Sequence, residues 1–438
     1  MNAALIRKEV IDLCEAIRKA GGRALLVGGC VRDLLVDKVP KDYDLEVYNL
    51  PSEKLRDVLL EFGPVNTVGE SFAVYKMVFS KTARSAAVES SPDAAPSKFE
   101  IDVSIPRRES KSGRGHRAFE IHGDPEMTFE EAARRRDFTV NAILYDPLDR
   151  HLIDPYDGAR DLERLILRVV DPGTFVDDSL RVLRAVQLAA RFEFSIDPRT
   201  AELCRSIDLS DLPVERVWGE VEKLLTLARR PSIGLAAALE LNAAGKVLPK
   251  FANAALADKQ RFARVCLAID EAALLAEPLT EGRRIAVMLS VVSIGLHCSD
   301  PRPGLERLAI QTLGGFDVRG AVLAVVGERE KVEDFYRRRA SAAEFRRLAV
   351  RVELDLLYRA IAAFESSRDA AQWFISRARE LSVEHAPPPP LLKGRHLLEL
   401  GIEPGPRMGE LLRRIYDQQL DGEVSTLNEA LTAAKKMS

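Results

Sequence analysis

The stretch that decides the fold is LLVGGCVRDLLVDKVPKDYDLEVY, residues 25–48. The apolar run at its start predicts a short buried strand, which ends at Gly28 and Gly29 and leads into a helix. Two glycines at a strand-to-helix turn let the backbone approach a phosphate, and the start of the following helix adds partial positive charge. The stretch therefore predicts a nucleotide-binding turn.

Two acidic side chains open the second strand that this stretch predicts. Asp42 and Asp44 alternate along it and should share one face. Neighbouring carboxylates repel each other and favour divalent cations, and a pair of Mg²⁺ ions is the usual arrangement for nucleotidyl transfer. A third carboxylate is expected on a neighbouring strand. We predict that Asp102 supplies it, with Glu100 as the alternative.

The composition is that of an ordinary core-forming protein: 438 residues, 46% hydrophobic and 30% charged. With 64 Lys and Arg against 67 Asp and Glu, the net charge of −3 excludes nucleic-acid binding by bulk charge alone. No apolar run approaches the ~18 residues of a membrane span, and the N-terminus lacks a signal-peptide layout. We therefore predict a cytoplasmic protein. Its five cysteines are widely spaced, which predicts buried thiols rather than disulfides or a zinc site.

Strand and helix signals are mixed in the first part of the chain and almost purely helical afterwards. Strands are predicted at 24–27, 44–48, 72–79 and 99–105, and a small, polar stretch at 83–98 predicts an exposed loop. The fold class is therefore an α+β head, a small mixed sheet with helices, followed by a long all-α neck, body and tail. The predicted domains are the head (1–150), the helical neck (151–231), the helical body (232–385) and the C-terminal helical tail (386–438).

Two further segments carry candidate binding residues. In RRRDFTVNAILYD (134–146), three arginines before a predicted helix suit a triphosphate, and Asp137 and Asn141 should share a helix face. In DDSLRVLRAVQLAARF (177–192), Asp178 and Arg181 should project from one helix face. Such a pair is often only a surface ion pair. It could also read the amine and ring nitrogen that cytosine and adenine share, and reject uracil and guanine.

The residues GGCVRDLLV followed by DYD resemble the active-site signature of the DNA polymerase β-type nucleotidyltransferase superfamily. More narrowly, they resemble the bacterial class II tRNA nucleotidyltransferase and poly(A) polymerase family, whose pattern is G-G-x-V-R-D-x-L-L-G and then D-x-D. Val36 and Asp37 depart from this pattern, Asp37 standing where the family has its third glycine. These departures should alter the exit of the helix and leave the chemistry unchanged.

The resemblance implies roles for most of the candidate residues. It implies that Arg136 contacts nucleotide phosphate, that Asp137 contacts the ribose, and that Asp178 and Arg181 form a protein template for CTP and ATP. Together with the patterns above, we predict that Asp42, Asp44 and Asp102 hold Mg²⁺ and carry the catalysis, with Glu100 as the alternative to Asp102. The residues predicted to bind the nucleotide are Gly28, Gly29, Arg32, Arg136, Asp137, Asn141, Asp178, Arg181 and Arg184.

The family contains enzymes of different specificity, and two segments bear on the choice. The basic stretch 106–120 resembles a flexible loop of CCA-adding enzymes, whereas 68–77 lacks the arginines usual in poly(A) polymerases. Many relatives also carry an HD phosphohydrolase domain; here Ser290 and Val291 stand where its His-Asp pair is expected, so the body is interpreted as a degenerate HD-like, RNA-binding domain. Predicted RNA contacts are Arg107, Lys111, Arg114, Arg337, Arg338 and Arg346.

The sequence thus predicts a CCA-adding enzyme that acts on the 3′ end of tRNA and uses CTP and ATP as substrates. It predicts two Mg²⁺ ions as cofactors and no association with a membrane. An A-adding enzyme or a poly(A) polymerase is the nearest alternative. A catalytically silent RNA-binding protein on the same scaffold is the alternative from another class.

Overall fold

The computed structural model describes residues 3–67, 74–80, 98–111, 119–297, 301, 302, 304, 308 and 312–437. It divides the chain into two compact units, Met1–Leu212 and Pro213–Ser438. The predicted loop at 83–98, apart from its last residue, lies outside the described residues. So do Arg114, Cys298, residues 112–118 of the loop at 106–120 and the first six residues of the stretch at 68–77.

The first unit combines helices with a mixed sheet. Its strands are β1 (Arg23–Val27), β2 (Tyr43–Tyr48), β3 (Val65–Thr67), β4 (Val74–Ser80), β5 (Lys98–Ser104), β6 (Arg107–Lys111), β7 (Phe119–Gly123), β8 (Leu144–Asp146), β9 (His151–Ile153), β10 (Ile166–Leu167) and β11 (Ser195–Ile196). Its helices are α1 (Lys8–Lys19), α2 (Gly29–Leu35), α3 (Ser52–Leu60), α4 (Phe129–Arg134), α5 (Gly158–Glu163), α6 (Pro172–Phe175), α7 (Leu180–Phe192) and α8 (Pro198–Ser206). Short 3₁₀ turns are found at Ala3–Leu5 and Thr139–Asn141.

Seven of the strands form one sheet in the order β3-β4-β5-β2-β1-β8-β9. The pair β2 and β5 is parallel, and the other neighbours in this sheet are antiparallel. β6 and β7 form a separate antiparallel pair, and the short strands β10 and β11 form a parallel one. The four strands that the sequence predicted are all present in the main sheet, β4 being described from Val74 onward.

Strand β2 lies near the middle of this sheet, and its two faces have different surroundings. Tyr43, Leu45 and Val47 point into a core cluster that also receives apolar residues of α1, α2, α3 and β5. On the opposite face, Tyr48 joins a second cluster with residues of β1, α4 and β8. The polar residues of β2 share this second face, because side chains alternate along a strand.

The second unit is helical apart from the two-stranded ribbon of β12 (Thr312–Leu313) and β13 (Phe316–Asp317), as far as its residues are described. Its helices are α9 (Val214–Leu227), α10 (Pro231–Glu240), α11 (Ala243–Val247), α12 (Pro249–Ala257), α13 (Lys259–Leu275), α14 (Glu281–Gly295), α15 (Val318–Glu328), α16 (Lys331–Arg338), α17 (Ala342–Ala349), α18 (Leu354–Ala362), α19 (Arg368–Glu380), α20 (Gly394–Glu399), α21 (Pro406–Asp421) and α22 (Leu427–Met437). The predicted fold class, an α+β head followed by a helical region, is therefore confirmed.

The thiols follow the sequence prediction wherever they are described. Cys14, Cys30 and Cys204 are buried and Cys266 is half-buried, and none of these four forms a disulfide. Burial raises the pKa of Cys14 and of Cys30 to about 12, with smaller contributions from the nearby carboxylates Asp146 and Asp44. No helix among the described residues is both long enough and apolar enough to cross a membrane.

Candidate active site

A cleft of about 360 Å³ opens on the polar face of the sheet. It receives residues from five strands (β1, β2, β4, β5 and β6), from α4 and the turn that follows it, and from the first turn of α7. The lining residues are Val27, Asp44, Glu46, Val74, Asp102, Ser104, Ile105, Arg107, Ala132, Arg135, Arg136 and Arg181. Acidic side chains therefore come from the sheet, and most of the basic ones come from the segments beside it.

Strand register brings the predicted carboxylates together. Asp44 on β2 is level with Asp102 on β5, and Asp102 is level with Lys76 on β4. The three side chains thus form a row across neighbouring strands, and Lys76 Nζ donates to Asp102 Oδ2 at 2.9 Å. Glu100 stands one alternation further along β5, with its carboxylate 4.0 Å from the same amine.

The carboxylate oxygens of Asp44 and Asp102 are chemically suited to bind a divalent cation. Asp102 Oδ1 is buried and has no hydrogen-bond partner among the described residues, and such an atom is costly to bury without a ligand. Asp42 is exposed and lies one residue before β2. Within the described part of the chain, however, no three His, Cys, Asp or Glu side chains are close enough together to hold a metal ion.

The protonation of Asp44 reflects its crowded surroundings. Partial exclusion of water in the cleft raises the pKa of its carboxyl, and the carboxylates of Asp102 and Asp42 raise it further, whereas Arg136 acts in the opposite direction. The net pKa of Asp44 lies above its usual value. Carboxylates that disfavour each other's charge are expected where a cation is to bind.

Glu46 is an acidic cleft residue that the sequence predictions missed. Its side chain is only 4% exposed, with Oε1 3.7 Å from Arg135 Nη2 and Oε2 3.6 Å from Arg136 Nη2. The Tyr48 hydroxyl donates a hydrogen bond to Glu46 Oε2 at 2.8 Å. The signal was present in the sequence, because the alternation that relates Asp42 to Asp44 continues to Glu46.

The arginines of the segment 134–146 end a helix, so the prediction that they precede one is wrong. Helix α4 begins with a capping box between Thr128 and Glu131 and closes at Arg134. Phe138 is then extended, in a bridge with Val169, and only a single 3₁₀ turn follows. The side chain of Asp137 accepts a hydrogen bond from the Phe138 amide at 2.8 Å, a local bond that competes with helix formation.

Asp137 and Asn141 nevertheless meet, although no helix face joins them. Asn141 Nδ2 donates to Asp137 Oδ1 at 3.0 Å, and Arg184 Nε donates to Asp137 Oδ2 at 2.7 Å. Arg32, which is buried, donates to Asn141 Oδ1 at 2.6 Å. Four predicted nucleotide-binding residues thus form one network that joins α2, the 3₁₀ turn and α7, and both oxygens of Asp137 are used within it.

The prediction that Asp178 and Arg181 project from one helix face is also wrong. Asp178 precedes α7, and its Oδ1 accepts from the Leu180 amide at 3.1 Å, as acidic residues near helix starts commonly do. Arg181, in the first turn, donates to the carbonyl oxygens of Thr174 and Arg135, each at 2.7 Å. Its guanidinium lines the cleft and has further N–H donors besides these two.

Gly28 and Gly29 lie at the turn between β1 and α2, as predicted. Gly28 has φ +72°, a conformation that favours glycine. A Cβ atom there would stand 3.2 Å from Arg136 Nη1 and 3.5 Å from Asp44 Oδ2. The absence of a side chain at this turn therefore leaves room for the cleft's arginine and carboxylate.

The predicted RNA contacts fall in several places. Arg107 lines the cleft, and Lys111 ends β6, whereas Arg114 is outside the described residues. In the second unit, Arg338 pairs with Asp334 and Glu344, each at 2.9 Å. Arg346 donates to a carbonyl oxygen of α21, and Arg337 is exposed.

The head region matches a known family. Residues 24–168 match the model of the poly A polymerase head domain. A multifunctional CCA protein of Stenotrophomonas maltophilia is 38% identical over 232 residues, which are 51% of this chain and 51% of that protein. The chain thus spans about half the length of the curated relatives it matches, and its relationship to CCA-adding nucleotidyltransferases, inferred from its motifs, is confirmed.

Solved structures extend the likeness of fold to nearly the whole chain. The CCA-adding enzyme of Bacillus stearothermophilus, in complex with CTP, aligns with a TM-score of 0.67 and 21% identity over 98% of this chain and 96% of that one. The Thermotoga maritima CCA-adding enzyme complexed with tRNA aligns with a TM-score of 0.65 and 20% identity, over 98% and 96%. The head and the helical region therefore share the fold of these enzymes.

Proposed function

We propose that this protein adds CCA to the 3′ end of tRNA without a nucleic-acid template, using CTP and ATP and releasing pyrophosphate. The observation that carries the proposal is the row of Asp44 and Asp102 facing Arg135 and Arg136 across one cleft of a poly A polymerase head domain. The same fold as CCA-adding enzymes over nearly the whole chain supports it. The reaction would take place in the cytoplasm.

Mg²⁺ is the proposed cofactor, held by Asp42, Asp44 and Asp102. The unpartnered Oδ1 of Asp102 and the adjoining carboxylate of Asp44 support this assignment. When bound, the ions would neutralise charge on the attacking hydroxyl and on the triphosphate. The remaining steps fall to the side chains of the chain itself.

Arg135 and Arg136 are proposed to hold the triphosphate and then the leaving pyrophosphate. Both guanidinium groups line the cleft, and the Nε atom of Arg136 is buried without a hydrogen-bond partner among the described residues. Phosphate oxygens are strong acceptors for such donors. The network around Asp137 would fix these arginines and α7 relative to each other, and a direct contact of Asp137 with the ribose stays a prediction.

Arg181 and Asp178 are proposed to select the base, with Arg184 beside them. The further N–H groups of Arg181 in the cleft support donation to a ring nitrogen. The Asp178 carboxylate would accept from the exocyclic amine that cytosine and adenine share. Uracil and guanine present the reverse pattern, so this pair would reject them. The head, neck, body and tail boundaries predicted above remain part of this proposal.

An incorporation assay separates the proposal from its alternatives. Purified protein is given a tRNA transcript lacking its terminal CCA, with CTP, ATP or both, and the products are resolved by length. We expect two C residues with CTP alone and complete CCA with both nucleotides. Use of ATP only would indicate an A-adding enzyme, and long A tracts would indicate a poly(A) polymerase.

Variants test the assigned residues in the same assay. Asp44→Asn should lower the rate by at least about a thousandfold, because it removes a carboxylate at the reacting centre. Glu53→Asn, an exposed change on α3 that also removes a carboxylate, serves as the matched control. Equal rates in the wild type and in Asp44→Asn would indicate a different centre, and no transfer by the wild type would favour a silent RNA-binding protein.

A further inference from the structure

Three cationic side chains surround one aromatic ring at the ends of α2 and α7. The guanidinium of Arg32 lies 4.1 Å from the centre of the Phe192 ring, and that of Arg191 lies 4.9 Å from it. The amine of Lys38 lies 5.8 Å from the same centre. We refer to Arg191, Lys38 and Phe192 as the Phe192 cluster.

Arg32 is fully engaged inside the protein, whereas the other two cations are not. Arg32 donates to Asn141 and, through Nε and Nη2, to Asp33 Oδ1 at 3.2 and 2.9 Å. Across the described residues, no carboxylate lies within ion-pair distance of Arg191 or Lys38. The nearby Asp33 is already the partner of Arg32.

This environment disfavours the charge on Arg191. Its side chain is half-buried on the last turn of α7, and loss of solvent lowers the pKa of its guanidinium, as does the charge of Arg32, while Asp33 raises it. The negative end of the helix dipole compensates only part of this effect. A cation kept at such a position without a carboxylate partner is typical of a site that receives an anion.

We propose that the Phe192 cluster binds a backbone phosphate of the RNA substrate, with Arg191 and Lys38 as its two donors. This inference rests on the proposed function for the identity of the anion. Free nucleotide phosphate is the less favoured source, because the arginines that line the catalytic cleft are others: Arg107, Arg135, Arg136 and Arg181. Lys38 is exposed and Arg191 partly so, which leaves both within reach of an RNA backbone.

The test measures RNA affinity at several salt concentrations for Arg191→Met and Lys38→Met. Methionine keeps much of the length of each side chain and removes its charge. The probe is a labelled tRNA transcript lacking CCA, followed by fluorescence anisotropy. Each variant should weaken binding severalfold and reduce the slope of log Kd against log salt by about 1, since one phosphate contact is lost.

Arg56→Met is the matched control, because Arg56 is exposed on α3, away from the cluster in sequence, and loses the same charge. Its affinity and salt slope should equal those of the wild type. Thermal unfolding supplies a second readout: because the site disfavours the charge of Arg191, Arg191→Met should unfold at the same temperature as the wild type or higher.

The outcomes separate this inference from the proposed function. An unchanged Kd and salt slope in both variants would overturn the inference and show that the two cations serve only the helix ends. Weaker binding of ATP or inorganic phosphate, with tRNA binding unaltered, would overturn it in favour of a nucleotide phosphate. A wild type that binds tRNA but transfers no nucleotide would overturn the proposed function alone, because the salt slopes would still report on the phosphate contact.

Discussion

Asp37 occupies the position where the related family has a glycine, and its backbone explains why. It lies just after α2, with φ +56°, in the left-handed region that glycine adopts without a steric penalty. Aspartate tolerates this region better than most residues because its short polar side chain bonds locally. The departure from the family pattern thus keeps the conformation of the helix exit.

Substitution of Asp37 should expose this constraint. We expect Asp37→Gly to exceed Asp37→Ala in free energy of unfolding by about 1 kcal/mol, because alanine must enter the left-handed region with a Cβ atom. Urea denaturation of the two variants measures the difference. The exposed Asp57 in α3, in ordinary helical geometry, is the control: there the alanine variant should be the more stable one. Equal stabilities at Asp37 would contradict the argument.

Glu46 should limit how tightly the cleft binds anions. Its carboxylate lies within 4 Å of both Arg135 and Arg136 and therefore offsets part of their charge. Glu46→Gln keeps an acceptor for Tyr48 and removes the charge, so we expect the Kd for inorganic triphosphate to fall by about fivefold. Calorimetric titration measures the change, with Glu53→Gln as the control. Weaker binding in Glu46→Gln would indicate instead that the carboxylate is needed to hold the guanidinium groups in place.

The sequence was sufficient to predict which strand positions carry the candidate site residues. It was not sufficient to predict which residues lie opposite each other on neighbouring strands. Alternation along the sequence is sufficient to place Asp44 and Asp102 on cleft-facing positions of their strands. Lys76 was missed because its relation to these aspartates depends on strand register, which is set by the packing of the whole sheet. Glu46 lies on the same strand as Asp44, so the alternation along that strand was sufficient to find it.

At the scale of elements, the fold was predictable where hydrophobic periodicity was strong. The β1, β2 and β5 strands and helix α7 follow their patterns closely. The segments around Asp137 and Asp178 departed from prediction because each side chain bonds a nearby backbone amide, and these local bonds outweigh helical spacing. The spacing of residues alone therefore does not predict where a helix begins or ends when an aspartate near that end accepts a hydrogen bond from a backbone amide, as Asp137 and Asp178 do.

The network that joins α2, the 3₁₀ turn and α7 should depend on the charge of Asp137. Although burial raises the pKa of this carboxyl, Arg184 and the hydrogen bonds from Asn141, Arg184 and the Phe138 amide lower it below its usual value. A lowered pKa in the folded state stabilises the fold above the unfolded pKa of about 3.9 and loses that contribution as the pH falls further.

Asp137→Asn should therefore lower the free energy of unfolding at pH 7 by about 2 kcal/mol, because Arg184 loses its buried partner. The difference from the wild type should shrink as the pH falls below about 4. Urea denaturation between pH 3 and 8 measures both quantities. Asp149→Asn, which removes an exposed ion pair with Arg18, is the control and should change stability by less than about 1 kcal/mol. A difference that stays constant down to pH 3 would contradict the assigned pKa.

At the scale of the whole molecule, the net charge of −3 hides how its basic residues are distributed. The arginine-rich stretch of α16 and α17 has the sequence of a basic patch, yet much of its charge is paired. Arg338 lies between Asp334 and Glu344, Arg347 pairs with Asp421 at 2.6 Å, and Arg351 pairs with Glu328 at 2.9 Å. A count of basic residues in sequence therefore overstates the field that this surface presents to RNA.

This distribution predicts a contrast between two neighbouring arginines. Arg337 is exposed and, within the described residues, forms no ion pair, so Arg337→Ala should weaken binding of the tRNA transcript and lower the salt slope by about 1. Arg338→Ala should change the Kd by less than about twofold, because its charge is already offset by two carboxylates. Fluorescence anisotropy across salt concentrations measures both variants, each serving as the control for the other. An equal loss of affinity in the two variants would mean that the ion pairs of Arg338 open when RNA binds. If neither variant loses affinity, this helix does not belong to the RNA-binding surface, because removal of an exposed, unpaired guanidinium that contacts an RNA phosphate must weaken binding.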